Sequence, residues 1–312
     1  MTSGALADHI RQKLGTLSPA ERKVARVLLA GYPAAGFETV AVLAERAAVS
    51  APTVIRFVNR LGYRGFPDFQ AALRDELDVR NASPLSLYES ADLGRNGTDG
   101  SEGAGPAADD TTREGDGTRA DDAPDAALLR HGSRLFADAV TATLAELPPH
   151  DFEHAVRLLS DRKRRITLAG GRFTHLLAQY LGLHLMQLRD DVRFLPDRDV
   201  ERTAVLAALT RRDVLVVFDY RRYESDKTTI ATLVQEKGGK VVLFTDTWLS
   251  PAAPHAEVVL PSRVTAPSPY DSLVPTLAVL ETVVAGVIAT LGDDARNRMQ
   301  HGEDIARRAG LY

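Results

Sequence analysis

The residues from Ser50 to Gly62 constrain the fold most, because a start signal, a stop signal and a helical repeat fall within one short segment. Ser50 suits a helix N-cap through its hydroxyl, Pro52 suits the first turn, and Gly62 suits the left-handed residue that ends a helix. Between them, apolar residues at i, i+3, i+4 and i+7 define one face. These residues are Val54, Phe57, Val58 and Leu61. The segment therefore predicts a short amphipathic helix.

A second short helix is predicted immediately upstream, over residues 39–48, with Val40, Leu43 and Ala44 facing inward. Only the turn at residues 48–50 separates the two, and a short turn between two short helices is typical of a helix-turn-helix. The outer face of the second helix carries side chains that can pair with base edges and phosphates. The residues predicted to contact DNA are Ser50, Pro52, Thr53, Arg56, Asn59, Arg60 and Arg64.

The alternative is a small helical hairpin whose charged side is merely solvated. Local charge favours DNA binding, since residues 1–66 hold nine basic and four acidic residues in a chain whose net charge is −4. A basic domain within an acidic protein is typical of nucleic-acid binding. Double-stranded DNA is therefore the predicted partner of this region.

Charge also divides the chain into three segments. Residues 1–80 are predicted to be all helical, because residues 18–21 (SPAE) form a capping box and Phe69, Leu73 and Leu77 mark a further helix. Residues 81–127 hold three basic and eleven acidic residues, and between residues 94 and 125 large apolar side chains are nearly missing. This composition predicts an acidic disordered linker. Residues 128–312 form the predicted second domain.

The second domain alternates between predicted strands and helices. The strands are predicted at residues 165–169, 192–195, 214–218, 240–244 and 257–260, and the helices at about 128–147, 151–160, 174–188, 200–210, 225–235 and 273–291. This alternation predicts an α/β domain with a doubly wound parallel sheet. Ligands of such sheets bind beyond the carboxyl ends of the strands. That rule selects the segments 170–174, 219–225, 245–246 and 262–272.

The residue content and the motifs of the chain argue against cysteine sites, metal sites, secretion and membrane insertion. The chain has 0 cysteines, which excludes disulfides, thiolate metal sites and cysteine nucleophiles. Its 8 histidines form no His-Glu-x-x-His motif, so neither a metal nor another cofactor is expected. The N-terminal residues do not resemble a signal peptide, and the longest apolar run, residues 277–291, is short for a membrane span and contains Glu281. A cytoplasmic protein without a membrane partner is predicted.

Three stretches resemble the RpiR/MurR family of bacterial transcriptional regulators: LSPAERKVA at residues 17–25, VSAPTVIRF at 49–57 and LGYRGF at 61–66. The resemblance covers nearly all of the chain except the predicted linker. It implies an N-terminal helix-turn-helix domain joined to a C-terminal sugar isomerase (SIS) domain, which has a five-stranded parallel sheet. It also implies that the SIS domain senses a phosphosugar or a related metabolite through two loops.

The first loop of the family has a Gly-x-Gly-x-Ser pattern, which is represented here by Gly170, Gly171, Arg172 and Thr174. Thr174 keeps a hydroxyl at a helix N-terminus, where an anion is favoured, while Arg172 replaces the second glycine. The second loop normally reads Ser-x-Ser-Gly-x-Thr, but residues 219–225 read DYRRYES. The serines and the glycine are missing, so their phosphate contacts cannot be carried over.

Two interpretations of the substituted loop remain open. In one, Arg172, Arg221 and Arg222 converge on a carboxylate or phosphate, which guanidinium groups bind in a bidentate manner. In the other, they pair with Asp219, with Glu224 or with a partner subunit, and the site is vestigial or an interface. The residues predicted to bind a small anionic metabolite, such as a phosphosugar or a sugar acid, are Gly170, Gly171, Arg172, Thr174, Tyr220, Arg221, Arg222 and Ser225.

The favoured function is a sequence-specific transcriptional regulator with a ligand-sensing SIS domain and no catalytic residues. One alternative is a sugar-phosphate isomerase or lyase with an accessory helical domain, in which Glu281 would occupy the place of a general base. Another is an SIS domain that only oligomerises. One helix-turn-helix reads few base pairs, so a homodimer or homotetramer on a two-fold symmetric operator is predicted.

Overall fold

The computed structural model describes residues 6–93 and 124–311. The chain separates into two compact units, Met1–Ala82 and Ser83–Tyr312. Each unit has its own hydrophobic core.

The first unit is helical, as predicted. Its helices are α1 (Leu6–Lys13), α2 (Pro19–Ala30), α3 (Val40–Arg46), α4 (Ala51–Arg60) and α5 (Phe66–Asn81). Phe57, Phe69, Leu28, Leu43 and Leu73 are fully buried in its core. The structure adds α1, which the sequence analysis did not predict.

Local signals set the helix ends in this unit. The capping box is present, because the Ser18 hydroxyl accepts from the Glu21 N–H at 3.3 Å while the Ser18 N–H donates to Glu21 Oε2 at 2.8 Å. Gly62 has a φ of +104°, and the N–H of Tyr63 reaches back to the Val58 carbonyl at 3.1 Å. Both ends form as the sequence predicts.

The segment predicted to be a disordered linker contains helical residues at both ends. α6 spans Pro84–Leu93, and α7 (Pro124–Glu146) begins before residue 128. α6 has an N-terminal cap, since the Ser83 hydroxyl accepts from the Ser86 N–H at 3.0 Å and the Ser83 N–H donates to Ser86 Oγ at 2.8 Å. The acidic composition therefore does not prevent helix formation at residues 84–93 or 124–127. Residues 94–123 lie outside the described part of the chain.

The second unit contains the predicted five-stranded parallel sheet, with strand order β2-β1-β3-β4-β5. The strands are β1 (Arg165–Gly170), β2 (Val192–Phe194), β3 (Asp213–Phe218), β4 (Lys240–Asp246) and β5 (Val258–Ser262). β3 is buried along its whole length, which explains why it reads as an unbroken apolar run. The order reverses at β1 and β3, and a ligand-binding crevice is expected at that reversal.

Helices cover both faces of the sheet, because successive strand residues point to opposite sides. They are α8 (Pro149–Ser160), α9 (His175–Leu188), α10 (Asp199–Ala207), α11 (Ser225–Glu236), α12 (Val274–Leu291) and α13 (Asp293–Ala309). On one face, Val214, Val216 and Phe218 pack with residues of α8, α9, α12 and α13. On the other, Leu215 and Val217 pack with residues of α10 and α11. The doubly wound prediction is confirmed, and α13 is an addition to the predicted elements.

Among the described residues, one helix has the length and the apolar composition that a membrane span requires, and this helix is α12. Val279, Leu280, Val283 and Val287 are buried in the core of the second unit. α12 also contacts α7, α8, α9 and β5. These contacts account for the apolar residues on the buried face of α12.

Candidate functional sites

α4 presents one buried face and one polar face. Val54, Phe57 and Val58 are fully buried, whereas the side chains of Arg56 and Asn59 are exposed on the opposite side. Ser50 and Pro52 are exposed at the start of the helix. The burial pattern confirms the amphipathic helix, and it leaves a basic and an amide side chain in the position predicted to meet DNA.

Thr53 does not lie on the exposed face, contrary to the prediction. It is 5% exposed, and its hydroxyl lies 3.0 Å from Ser50 Oγ and accepts from Arg56 Nη2 at 3.2 Å. Ser50 is the N-cap residue by its backbone, but its side chain makes no cap hydrogen bond and contacts Thr53 instead. The first turn of α4 therefore holds Thr53 as a support for Arg56.

Arg60 and Arg64 are both paired within the first unit. Arg60 donates to the Thr16 carbonyl at 3.1 Å and lies 3.4 Å from Glu21 Oε1. Burial opposes ionisation of Glu21, but hydrogen bonds with Ser18 and the charges of Arg60 and Arg56 outweigh it and lower the Glu21 pKa. Arg64 lies 3.5 Å from Asp68 and remains 92% exposed. Arg60 thus ties α4 to the start of α2, while Arg64 stays accessible.

A cavity of about 370 Å³ lies at the carboxyl ends of β1 and β2, beside the N-termini of α9 and α11. Its size falls within the usual range for small-molecule sites, about 300–1,000 Å³. It is lined by Leu168, Ala169, Gly170, Gly171, Arg172, His175, Ala178, Gln179, Phe194, Leu195, Asp197, Arg202, Glu224, Asp226 and Lys227. Apolar residues of β1 and β2 meet charged residues from α10, from α11 and from the loops before α9, α10 and α11.

Glu224 connects the two loops of this cavity. Its Oε1 accepts from the Arg172 N–H at 3.1 Å, and its Oε2 accepts from Lys227 Nζ at 2.8 Å. Lys227 is 4% exposed and also donates to Asp226 at 3.0 Å. Burial acts against the charge of Lys227, but its bonds to Glu224 and Asp226 prevail and raise its pKa. Lys227 is therefore a buried, charged group of the cavity.

Of the eight predicted ligand residues, Gly170, Gly171 and Arg172 line the cavity. The Thr174 hydroxyl is buried, where it accepts from the Gly171 N–H at 2.8 Å and donates to the Phe218 carbonyl at 2.8 Å. Thr174 therefore shapes the turn and is not among the lining residues. Ser225, the first residue of α11, is exposed and does not line the cavity.

The Tyr220 side chain points into the core instead of the cavity. Its hydroxyl lies 2.8 Å from Thr276 Oγ1 and 3.1 Å from Ser262 Oγ, and all three residues are buried. Burial raises the pKa of the Tyr220 phenol. The hydroxyl cluster joins the end of β3 to β5 and α12, which explains a tyrosine at this loop position without a ligand.

Arg221 pairs internally, but its partner is Asp271 and not Asp219 or Glu224, which the second interpretation named. Its guanidinium binds Asp271 at 2.6 and 2.8 Å and lies 5.9 Å from the ring centre of Trp248. Burial raises the pKa of Asp271, although the hydrogen bond and charge of Arg221 oppose that rise. Arg222 has a φ of +66° and an exposed side chain that does not line the cavity. The three loop arginines therefore do not converge.

The side of the cavity that β2 and α10 form is not among the segments predicted from the sequence. Phe194 and Leu195 end the β2 region, and Arg202 on α10 lies 3.2 Å from Asp226 and 3.8 Å from Asp197. The rule on strand ends would have selected the loop after β2 had it been applied to that strand. Lys227 carried no comparable signal, because a lysine in a first helical turn is usually a surface residue.

The candidate general base and the paired histidines of α8 do not line the cavity. Glu281 is exposed on α12, where it accepts from the Tyr180 hydroxyl at 3.0 Å, and it does not line the cavity. His150 and His154, four residues apart on α8, have ring centres 6.0 Å apart. Within residues 6–93 and 124–311, no group of three metal-ligating side chains is found.

Comparison with known proteins assigns both units. The model of the helix-turn-helix domain of the rpiR family matches residues 4–80, and the SIS domain model matches residues 158–286. The HTH-type transcriptional regulator HexR of Pseudomonas aeruginosa is 27% identical over 294 residues, which cover 93% of this chain and 91% of HexR.

Two solved structures share the fold. The sugar isomerase domain of an RpiR transcription factor from Sphaerobacter thermophilus has a TM-score of 0.53 and 22% identity, covering 57% of this chain and 98% of its own. The Vibrio vulnificus NanR protein complexed with ManNAc-6P has a TM-score of 0.50 and 15% identity, covering 98% and 99%. The chain therefore belongs to the RpiR family of DNA-binding transcriptional regulators, with a helix-turn-helix domain followed by an SIS domain.

Proposed function

We propose that this regulator reads a two-fold symmetric operator through the exposed face of α4, and that its SIS domain binds a small anionic metabolite in the cavity at β1 and β2. A phosphosugar or a sugar acid fits the proposal. The bound metabolite changes the affinity of the protein for DNA, and the protein has no catalytic role.

The cavity is the observation that supports the ligand. It brings Arg172, Arg202 and Lys227 together beside the N-terminus of α9. Guanidinium and ammonium groups next to helix N–H groups favour carboxylates and phosphates. The Vibrio NanR structure, which shares the fold, is described as a complex with ManNAc-6P. That ligand is a sugar phosphate and supports the same chemical class here.

The position of Glu281 supports the regulator over the isomerase alternative. An isomerase needs a general base within reach of the bound sugar. Glu281, the candidate base of the alternative, lies outside the cavity and is engaged with Tyr180. The acidic residues that do line the cavity are within pairing distance of arginine or lysine.

The proposal is tested with the operator itself. Genomic fragments retained by the purified full-length protein would be sequenced, and a labelled duplex would be titrated by fluorescence anisotropy with a panel of phosphosugars and sugar acids. At least one compound should change the Kd for the operator tenfold or more. The double variant Arg172→Ala, Arg202→Ala should bind the operator normally and lose the response, whereas Arg211→Ala, an exposed change outside the cavity, should keep it.

Two results would contradict the proposal. A double variant that responds like the wild type would place the effector elsewhere. Conversion of an effector into its isomer during the titration, detected by product analysis of the same samples, would favour the isomerase alternative.

A further inference from the structure

The carboxylate of Glu224 lies in the cavity at a position where an anion can accept hydrogen bonds from the protein. Glu224 Oε1 accepts the Arg172 N–H at 3.1 Å, in the turn that leads into α9. A Cβ atom on Gly171 would lie 3.1 Å from the same oxygen, so the absence of a side chain at Gly171 permits this close approach. The turn that precedes α9 therefore binds a negative charge that the chain itself supplies.

The second carboxylate oxygen is held by a buried cation. Glu224 Oε2 lies 2.8 Å from Lys227 Nζ, and Lys227 is 4% exposed. A backbone N–H in the turn before a helix, combined with a lysine ammonium, is a donor set that suits a phosphate group. Glu224 thus uses the donors that an anionic ligand would need.

The charges of the cavity are balanced before any ligand enters. Arg202 lies 3.2 Å from Asp226, Lys227 lies 2.8 Å from Glu224, and the Arg172 guanidinium lies 3.9 Å from Glu224. An anion that entered with all these pairs intact would meet the Glu224 carboxylate at close range. That repulsion is strong in a partly buried site, where solvent screening is reduced.

We propose that Glu224 occupies the position of the effector's anionic group in the ligand-free protein, and that the effector binds by displacing it. The inference rests on the proposed function, because it assumes an anionic effector in this cavity. Glu224 then limits the affinity for the effector, because the ligand has to replace the two hydrogen bonds of the carboxylate. Only an anionic group that binds the Arg172 N–H and Lys227 more strongly than Glu224 does will displace it.

Displacement of Glu224 also acts on the neighbouring loop. The Glu224 N–H donates to Asp219 Oδ1 at 3.3 Å, and Asp219 Oδ2 accepts from Ser250 Oγ. The turn at residues 170–172 is thus connected through Glu224 to the loop at residues 219–224 and on to Ser250. A ligand that moves Glu224 breaks this connection, which links occupancy of the cavity to the conformation of the second loop.

The test removes the charge of Glu224 and keeps an oxygen acceptor. Isothermal titration calorimetry of the full chain would measure the Kd for inorganic phosphate and for glucose 6-phosphate in the wild type, in Glu224→Gln and in Glu236→Gln. Glu236, the last residue of α11, is exposed and does not line the cavity, so its variant controls for the change in net charge.

Glu224→Gln should bind at least one of the two probes tenfold more tightly than the wild type, while Glu236→Gln should stay within twofold. Glu224→Ala, with its folding checked by thermal denaturation, should also bind more tightly than the wild type. Equal Kd values for the wild type and both Glu224 variants would overturn the displacement proposal and leave an anionic effector in place. Failure of both probes and of the wider phosphosugar and sugar-acid panel to bind any variant would overturn the proposed function as well.

Discussion

The position of Arg56 depends on a short chain of side-chain contacts at the start of α4. Arg56 donates to Thr53 Oγ1 at 3.2 Å, and Thr53 Oγ1 lies 3.0 Å from Ser50 Oγ. Thr53 is buried, so it contributes by orienting Arg56 while the guanidinium stays exposed. We expect an arginine held in this way to contact a base edge in the major groove.

Replacement of Arg56 by alanine should remove discrimination between operator and random DNA. A specific base contact is worth about 1–3 kcal/mol, whereas affinity for random duplex should change little. Thr53→Val should cause a smaller loss, because it removes the hydroxyl that positions Arg56. Anisotropy titrations on both duplexes measure the difference, and Arg74→Ala on α5 is the control for lost positive charge. Equal losses on the two duplexes would make Arg56 a phosphate contact.

Asp219 should make the second unit less stable as the pH rises from about 4 to about 6. Burial raises its pKa to about 6, despite hydrogen bonds from Ser250 and from the Glu224 N–H and the charge of Lys227. The unfolded aspartate has a pKa of about 3.9, so the folded state holds its proton more tightly. The folded state is therefore favoured at low pH, and this contribution is lost as the pH passes through the folded pKa.

The variant Asp219→Asn isolates this effect. Between pH 5 and pH 7 its free energy of unfolding should rise by about 1 kcal/mol relative to the wild type, because the buried amide does not ionise. Urea denaturation followed by the fluorescence of Trp248, the single tryptophan of the chain, measures it at each pH. Asp138→Asn, an exposed change on α7, should show no such relative gain. A pH-independent difference between Asp219→Asn and the wild type would contradict the assignment.

At the scale of elements, the turn between α3 and α4 is short because one residue adopts a left-handed conformation. Ala48 has a φ of +50°, and the Val49 N–H then donates to the Ala44 carbonyl at 2.9 Å. This closure ends α3 and sets the path of the chain into α4. In the left-handed region the Cβ atom of alanine comes too close to the backbone, and glycine lacks this atom.

Ala48→Gly should therefore stabilise the helix-turn-helix by about 1 kcal/mol. Hydrogen exchange of α4 amides in the full-length protein, followed by mass spectrometry, should show slower exchange in the variant. Ala72→Gly, in the interior of α5, is the matched control and should speed exchange in the first unit, because glycine weakens a helix interior by about 1 kcal/mol. Faster exchange of α4 in Ala48→Gly would show that the turn tolerates the alanine without strain.

At the scale of the whole molecule, the second unit exposes apolar side chains on two neighbouring helices. Leu176 and Leu183 on α9 are 56% and 58% exposed, and Ile288 on α12 is 37% exposed. The hydrogen bond from Tyr180 to Glu281 joins the two helices along the same side. We expect this side of the two helices to be an interface with another protein surface. A second copy of the chain fits the symmetric operator that we propose.

We expect a homodimer or homotetramer that depends on this surface. Light scattering at micromolar concentration should give two or four times the 33.8 kDa of one chain. Leu183→Glu should reduce the mass, while Val200→Glu, at an 84% exposed residue of α10, should not. A wild-type mass of one chain would contradict the expected assembly.

The sequence by itself determined the five strands, the family and the helices other than α1, α6 and α13. Caps, turn residues and apolar periods are local signals, so the capping box at Ser18, the helix ending at Gly62 and the buried run of β3 could all be read from neighbouring residues. Only the tertiary structure decided which distant side chains meet. Arg221 pairs with Asp271, and Glu224 reaches the turn at Arg172, through packing of the loops that follow β1, β3 and β5.

The same reason explains the errors in the candidate sites. A helical wheel assigned Thr53 to the outer face, but the packing around the start of α4 buries it. Loop composition left open whether the arginines converge or pair internally; in the fold Arg221 pairs with Asp271, and Arg172 lies 3.9 Å from Glu224. Periodicity reports which side of an element is apolar. Contacts between elements depend on how those sides pack, and that packing is encoded by the whole chain.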